Sequence, residues 1–263
     1  MLLAIDIGNT NVTLGVFEEN TLQATWHLAT DSSRMPDEYG MMLLNLLPLR
    51  GVTHSDITAA VLCSVVPPLT QVFSQLCESF FGVKPLVVGV GVRTGIKILY
   101  DNPRDVGADR IVDAAAAFHL YDGPIIIVDF GTATVFDAIS AQGEYLGGAI
   151  APGLRVASES LFTSTSQLRR VELVAPKSAI GKNTSHAMQS GLMLGHADLV
   201  EGIVKRFKRE LGQDAKVIAT GGLAPLMANL TPVFDAINLN LTLLGLQMIY
   251  EMNAGDGTDM EQL

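Results

Sequence analysis

The sequence predicts an α/β protein built from two duplicated halves that face each other across a cleft. Three observations predict it. Short β-type runs alternate with helical patterns along the chain, the pattern of sheets covered by helices. An apolar-Asp-apolar-Gly motif at the end of an apolar run occurs twice. The 263 residues, 48% hydrophobic and 17% charged, supply the apolar surface for a large core. A chain of this length buries about three quarters of its unfolded surface and forms one large domain or two smaller ones. Disorder, collagen-like sequence and a disulfide scaffold are excluded by the same figures.

Leu2 to Ile7 is apolar and strand-like, Gly8-Asn9-Thr10-Asn11 forms a turn, and Val12 to Phe17 continues as a return strand. Asp37 to Leu47 has a helical pattern, and Ala59 to Val66 reads as a buried strand. Pro67-Pro68 opens a helix in which Leu69, Val72, Phe73, Leu76, Cys77 and Phe80 fall at i, i+3 and i+4 spacing. Leu86 to Val90 is a further strand and Gly107 to Leu120 a helix. Pro124 introduces the strand Ile125 to Asp129; a long helix covers about Ser185 to Leu211. Lys216 to Thr220 is a strand ending in Gly221-Gly222, and the acidic tail from Asn253 is expected to fray.

The repeat pairs Ile5-Asp6-Ile7-Gly8-Asn9-Thr10-Asn11 with Val128-Asp129-Phe130-Gly131-Thr132-Ala133-Thr134, and the return strand Val12 to Phe17 with Val135 to Ser140. Two copies make no solenoid. They imply a boundary near residue 115 and halves at 1–115 and 116–263. The glycine lets the backbone approach a ligand closely. Successive N–H groups in such a turn can nest an anion, and the strand-end Asp can hold a hydrated cation. A plain turn with Asp and Asn as turn formers fits either copy alone; repetition of this much detail favours two hairpins gripping a polyphosphate and its metal.

With 17 basic and 27 acidic side chains the net charge is −10, which disfavours a general nucleic-acid binder. The densest basic stretch, Lys205, Arg206, Lys208 and Arg209, reads as a solvated helix face. Cys63 and Cys77 read as buried, inert thiols in a reducing compartment. The first residues lack a signal peptide's basic segment, and no apolar run approaches the ~18–20 residues of a membrane span. A soluble cytoplasmic protein is therefore expected. His27, His54, His119, His186 and His196 are scattered and read as surface or packing residues. No Walker loop, dinucleotide fingerprint, nucleophile elbow or zinc-protease motif occurs.

Tyr100 to Arg110 is a loop that delivers Asp109 and Arg110 to the first turn of a helix. A carboxylate there can accept a hydroxyl proton, and the Arg fork can clamp a substrate carboxylate. A dipole-complementing Asp beside a surface Arg fits the spacing equally well. Gly147 to Gly153 is too glycine-rich for a strand interior and reads as a ligand approach or an irregular turn. Thr184 or Ser185 reads as a helix N-cap or a site residue. Gly221-Gly222 reads as a turn or as an approach for an adenine-bearing ligand.

These residues together resemble the type III pantothenate kinases. The resemblance rests on Asp6-x-Gly8-Asn9-Thr10-Asn11, Val66-Pro67-Pro68-Leu69-Thr70, Gly107-Ala108-Asp109-Arg110 and Asp129 to Thr134. It continues through Gly147 to Gly153, Ile180 to Thr184, Ala219 to Gly222 and Leu241-Thr242-Leu243, in the family's order. It implies two ribonuclease-H-like halves of the actin-like ATPase superfamily, with mixed sheets flanked by helices. The implied reaction moves the γ-phosphoryl group of ATP to pantothenate, giving 4′-phosphopantothenate, the first step towards coenzyme A.

The resemblance further implies that Asp6, Ile7, Gly8, Asn9, Thr10, Asn11, Val12 and Thr13 hold ATP phosphates, with Asp6 near Mg²⁺ and Thr132 reaching ATP from the second hairpin. Asp129 is implied to bind a monovalent cation (K⁺ or NH₄⁺), and Asp109 to act as general base. Tyr100, Gly107, Ala108, Asp109, Arg110 and Thr184 are implied to line the pantothenate site in a homodimer. Val135 stands where the family commonly has Thr, and Leu244 where it has Glu. The rival expectations are a kinase of another small hydroxyl compound and a non-catalytic regulator of the same fold.

Overall fold

Side-chain alternation decides the first strand. In β1 (Leu2–Ile7), Leu3, Ile5 and Ile7 enter one apolar cluster while Leu2 and Ala4 enter another on the opposite face. The computed structural model describes residues Met1–Ala254. β2 (Asn11–Glu18) returns antiparallel to β1, and β3 (Thr21–Ala29) antiparallel to β2. β4 (Ala59–Ser64) and the short β5 (Leu86–Val87) add in parallel, giving a five-stranded mixed sheet in the order β3-β2-β1-β4-β5. On one face lie α1 (Pro36–Leu46) and α2 (Pro67–Phe81), through Tyr39, Leu43, Leu69, Phe73 and Leu76. On the other lie α3 (Ala108–Tyr121) and α7 (Leu241–Ala254), through Val112, Ala115, Leu243, Leu246 and Ile249. Pro67 and Pro68 open α2 as predicted, and Gly82, left-handed at φ 67°, closes it.

The second sheet has six strands in the order β11-β10-β7-β8-β9-β6. These are β6 (Lys97–Ile98), β7 (Ile125–Phe130), β8 (Ala133–Ile139), β9 (Glu144–Pro152), β10 (Lys216–Thr220) and β11 (Ala236–Ile237). β7, β8 and β9 form an antiparallel meander like β1, β2 and β3, and β10 and β11 add in parallel like β4 and β5. The parallel edge strand β6 is the addition. Ile126, Val128, Phe130 and Phe136 of this sheet pack with Leu154 of α4 (Leu154–Thr163) and Met227 of α6 (Ala224–Ala228). Leu192, Met193, Ala197 and Val200 of the long α5 (Thr184–Leu211) complete that cluster. The duplication predicted from two short motifs is thus a duplication of strand order and direction.

The compact units differ from the expected halves 1–115 and 116–263. One comprises Met1–Ile96, Asp101–Ala116 and the stretch from Leu241; the other comprises Lys97–Tyr100 and Ala117–Asn240. The C-terminal helix belongs with the first sheet because Leu243, Leu246 and Ile249 join the cluster of Leu2, Ala4 and Val61. Gly147 to Gly153 is not irregular up to Pro152: it forms most of β9, held by continuous pairing from Ala133↔Pro152 to Ala138↔Gly147. The strand expected over Leu86 to Val90 is shorter: Leu86 and Val87 pair with β4, and a last bond runs from the Val88 N–H to Leu62 C=O at 2.8 Å. Of the tail expected to fray, Asn253 and Ala254 end α7, and the rest lies outside the described residues. No helix among the described residues is long and apolar enough to cross a membrane.

Candidate active site

In the first unit, the alternation that buries Leu2 and Ala4 turns Asp6 to the same face, towards α3. Its Cα partner on β4 is Cys63, on the face of Val61, and the Cys63 thiol donates to Asp6 Oδ1 at 3.4 Å. Asp109 enters from the first turn of α3, its Oδ1 accepting the Arg110 N–H at 2.8 Å. Gly107 leaves room for that same oxygen, since a Cβ would lie 2.5 Å from it and push the Asp109 carboxyl aside. Burial first, and then the charge of Asp109, pushes the Asp6 carboxyl up to about 7, against the pull of the Cys63 hydrogen bond. Burial raises Asp109 too, opposed by the Arg110 N–H and guanidinium. Burial and the adjacent carboxylates Asp6, Asp109 and Asp113 hold the Cys63 thiol well above its ordinary range.

The turn after Asp6 is tied down locally. Gly8 N–H donates to Asn11 C=O at 3.0 Å; Thr30, just past β3, donates its hydroxyl to Gly8 C=O at 2.7 Å and its N–H to Thr10 C=O at 3.0 Å. Asn9, Thr10 and Asn11 are exposed. Ile7 and Val12 are core side chains with no exposure, so only their backbones can serve a ligand. Thr13 is the Cα partner of Asp6, and its hydroxyl shares a 3.3 Å hydrogen bond with His27 Nδ1.

In the second unit, Asp129 is the penultimate residue of β7, on the face opposite Val128 and Phe130, with Val135 as its Cα partner. The repeat is offset by one. Four residues separate Ile7 from its partner Val12, but three separate Phe130 from Thr134. Thr134 therefore corresponds to Val12, and Val135 to Thr13. Gly221, left-handed at φ 83°, lies against Asp129: a Cβ there would overlap Asp129 Oδ1 and the Phe130 backbone. Gly153, the N-cap of α4, donates its N–H to Thr132 C=O at 3.2 Å, where a Cβ would collide with the carbonyls of Gly131 and Thr132. Thr134 is buried, and its hydroxyl shares a 2.9 Å hydrogen bond with His196 Nε2 on α5.

Of the remaining predicted residues, Tyr100 and Thr184 sit elsewhere in the second unit. Tyr100 follows edge strand β6, three strands from β7 and thus about 14 Å away at ~4.8 Å per strand; its ring faces Gly147 and lies 6.2 Å from that of Tyr145. Thr184 opens α5 and is exposed; the cap is neither Thr184 nor Ser185 but Asn183, whose side chain accepts the His186 N–H at 2.8 Å. Ala108, beside Gly107 in the first unit, is partly buried.

Sequence reasoning missed three participants. Cys63 is buried and its thiol is held protonated, as expected, but it also hydrogen-bonds Asp6. Asp113 is buried one helical turn beyond Asp109, a signal that i, i+4 spacing on α3 carried. His196 was expected to pack, and does, but through a polar contact that no periodicity marks.

Comparison with known proteins gives these geometries a context. The sequence model of the family described as type III pantothenate kinase matches residues 2–206. A protein described as type III pantothenate kinase from Dehalococcoides mccartyi is 51% identical over 252 residues, 96% of each chain. Two solved structures share the fold. A conserved putative Baf family transcriptional activator from Campylobacter jejuni has a TM-score of 0.62 at 20% identity, covering 96% of this chain and 99% of that one. A putative 2-dehydro-3-deoxygalactonokinase from Sinorhizobium meliloti has a TM-score of 0.60 at 12% identity, covering 96% and 97%.

Proposed function

The chain belongs to the type III pantothenate kinase family, and from that premise we propose how its residues divide the work of moving a phosphoryl group from ATP to pantothenate. The activity is ATP-dependent phosphorylation of pantothenate, a step of coenzyme A biosynthesis. The observation that carries the division of labour is the corner shared by Asp6, Cys63 and Asp109, where strand end, neighbouring strand and helix start hold two carboxyls of raised pKa and the charge of Asp109 helps to raise Asp6.

Asp109 is the general base. Its pKa, raised by burial, lies nearer neutrality than an exposed carboxylate's, which suits proton acceptance, and the Arg110 N–H orients one oxygen. The pantothenate hydroxyl oxygen bonds to the γ-phosphorus as the bond to the β–γ bridging oxygen breaks. ADP leaves with that electron pair, and the hydroxyl proton passes to Asp109. The Arg110 guanidinium, with Tyr100 and Thr184, serves the pantothenate carboxylate and amide groups. Asn9, Thr10, Asn11, Thr13 and Thr132 offer amide and hydroxyl groups to phosphate oxygens, and Ile7, Gly8 and Val12 offer backbone.

The donor set fits the expected cations. Asp6 is a carboxylate lifted towards 7 by its surroundings, and among the described residues no group of three His, Cys, Asp or Glu is placed to hold a metal without further ligands. Such a site suits Mg²⁺, which keeps waters and phosphate oxygens as its remaining ligands. Asp129 sits in a glycine cradle that a Cβ at Gly221 would fill, which suits K⁺ or NH₄⁺. Bound there, these ions would supply charge neutralisation that a Walker lysine supplies elsewhere. A cytoplasmic homodimer completes the proposal.

The test is ATP-dependent phosphorylation of pantothenate with and without K⁺, run beside Asp109→Asn. The parent turns over in a cation-dependent way, and the variant folds but loses ~10²-fold or more in kcat. A variant with parental kcat overturns the base assignment. Turnover of another hydroxyl compound but not pantothenate selects the rival kinase, and folded protein inert towards every acceptor selects the regulator.

A further inference from the structure

We infer that His196 is a positioning residue for nucleotide binding: through Thr134 it clamps the turn Gly131-Thr132-Ala133 from the opposite face of the sheet. The inference rests on the proposal that this turn serves ATP, and it concerns a residue that neither the motifs nor that proposal uses.

The two hairpins carry the argument. Each turn is closed by a Cα-paired couple with buried side chains: Ile7↔Val12, both in one apolar cluster, in the first, and Phe130↔Thr134, of which Phe130 joins a second cluster, in the second. At the position where the first has Val12, the second buries a hydroxyl, with Thr134 at 1% exposure. A buried hydroxyl is tolerated when it is hydrogen-bonded. Thr134 finds its partner in His196 Nε2 at 2.9 Å, itself only 7% exposed. The same imidazole lies with its centroid 6.2 Å from that of Phe130. His196 thus touches both residues of the closing couple. Its neighbours on α5, Met193, Ala197 and Val200, are anchored in the core. A hydrogen bond from a rigid helix to one end of the turn, with the same ring against the other end, fixes the turn's orientation more sharply than Val against apolar neighbours, because a hydrogen bond is directional and apolar contact is not. Asp129 lies on the other face of β7.

The experiment compares His196→Phe, His196→Gln, Thr134→Val and the His196→Phe/Thr134→Val double variant for KM of ATP, KM of pantothenate, kcat and urea unfolding, with Thr132→Ala as reference. His196→Phe keeps a ring beside Phe130 and loses the hydrogen bond; its KM for ATP rises roughly tenfold, the size of one buried hydrogen bond. Its kcat and KM for pantothenate change less than about twofold, since the loss is in nucleotide binding. His196→Gln restores a hydrogen-bonding group and most of the ATP affinity. The double variant regains stability, because both partners are then apolar, yet keeps the raised KM for ATP. A double variant that regains parental ATP affinity as well as stability overturns the inference, for the pair would then only satisfy itself. An unchanged KM for ATP in His196→Phe, with a raised one in Thr132→Ala, overturns the clamp alone. An unchanged KM for ATP in Thr132→Ala overturns the reading of the turn and the clamp with it.

Discussion

The two hairpins have one strand plan and two ways of holding it. The first turn, after Asp6, is braced along its own sheet: Thr30 at the end of the adjoining strand ties the carbonyls of Gly8 and Thr10, and the couple beneath is apolar. The second turn, after Asp129, is braced from outside the sheet, by Gly153 at a helix start, His196 on a long helix and Gly221 after a neighbouring strand. Their carboxylates differ accordingly. Asp6 shares a corner with a thiol and with Asp109, while Asp129 lies in a cradle of glycine backbone. Repetition of a motif therefore preserves where a carboxylate stands without preserving what surrounds it, and it is the surroundings that decide its chemistry.

The sharpest way to break the comparison is to add one methyl group to each turn's packing. Gly221→Ala puts a Cβ into Asp129 and the Phe130 backbone at φ 83°, so strain and overlap add. Urea unfolding should show a loss of about 3 kcal/mol or more. Gly8→Ala brings its Cβ only to 3.1 Å from Asn11 C=O, and about 1 kcal/mol is expected. Equal losses would mean that the second hairpin yields as easily as the first and is not held from outside its sheet.

How much of this was legible follows from where each signal lives. The strand–Asp–Gly units were legible because alternation and a turn glycine are local properties, and Pro67-Pro68 marked its helix for the same reason. Helix α7 was not. Leu241, Leu243, Gly245, Leu246, Gln247 and Ile249 are buried around its circumference, so no polar face breaks the pattern into a helical period. With α7 unseen, the units could not be divided correctly. Strand β9 was hidden by Gly147 and Gly148, whose regularity comes from the facing β8 and not from their own preference. At the site, Asp6, Asp109 and Asp129 stand out as motif residues, but Cys63 joins Asp6 only through strand register, and His196 meets Thr134 across 62 positions of chain. Long-range register leaves no local mark.

Acid and base titration sharpens the comparison next, because the two regions have opposite signs. Burial pushes the Asp6 carboxyl up to about 7 in the folded chain, from an ordinary value of 3.8. Between those values the folded chain holds a proton that the unfolded chain releases. This contribution to stability is fully present below about 3.8 and is lost as pH rises through 7. His196 is displaced the other way: burial lowers its pKa below 6.5. The unfolded imidazole takes up its proton first, so the contribution of the neutral ring is present above 6.5 and is lost as pH falls through the folded value. Urea unfolding without added metal, at about pH 5 and about pH 8, should show Asp6→Asn removing a decline towards high pH of at most ~1.4 kcal/mol per pH unit. His196→Phe should remove a decline towards low pH. Changes of the same sign in both variants would show that one of the two environments is misassigned.

The smallest effect should come from the brace of the first turn. Thr30→Val keeps the side chain's shape and removes its hydroxyl donor to Gly8 C=O, while the Thr30 N–H bond to Thr10 C=O is a backbone contact and survives. Gly8 is only partly buried, so water can take over part of the lost bond, which puts the cost at the low end of the range for one hydrogen bond, about 0.5–1 kcal/mol in urea unfolding. The KM for ATP should rise by no more than about threefold, less than for His196→Phe, because the apolar couple Ile7 and Val12 still seats the turn. A loss above about 2 kcal/mol would reverse the ranking, making the turn that looks self-supporting depend on one side chain from its neighbour as heavily as the second depends on its helices.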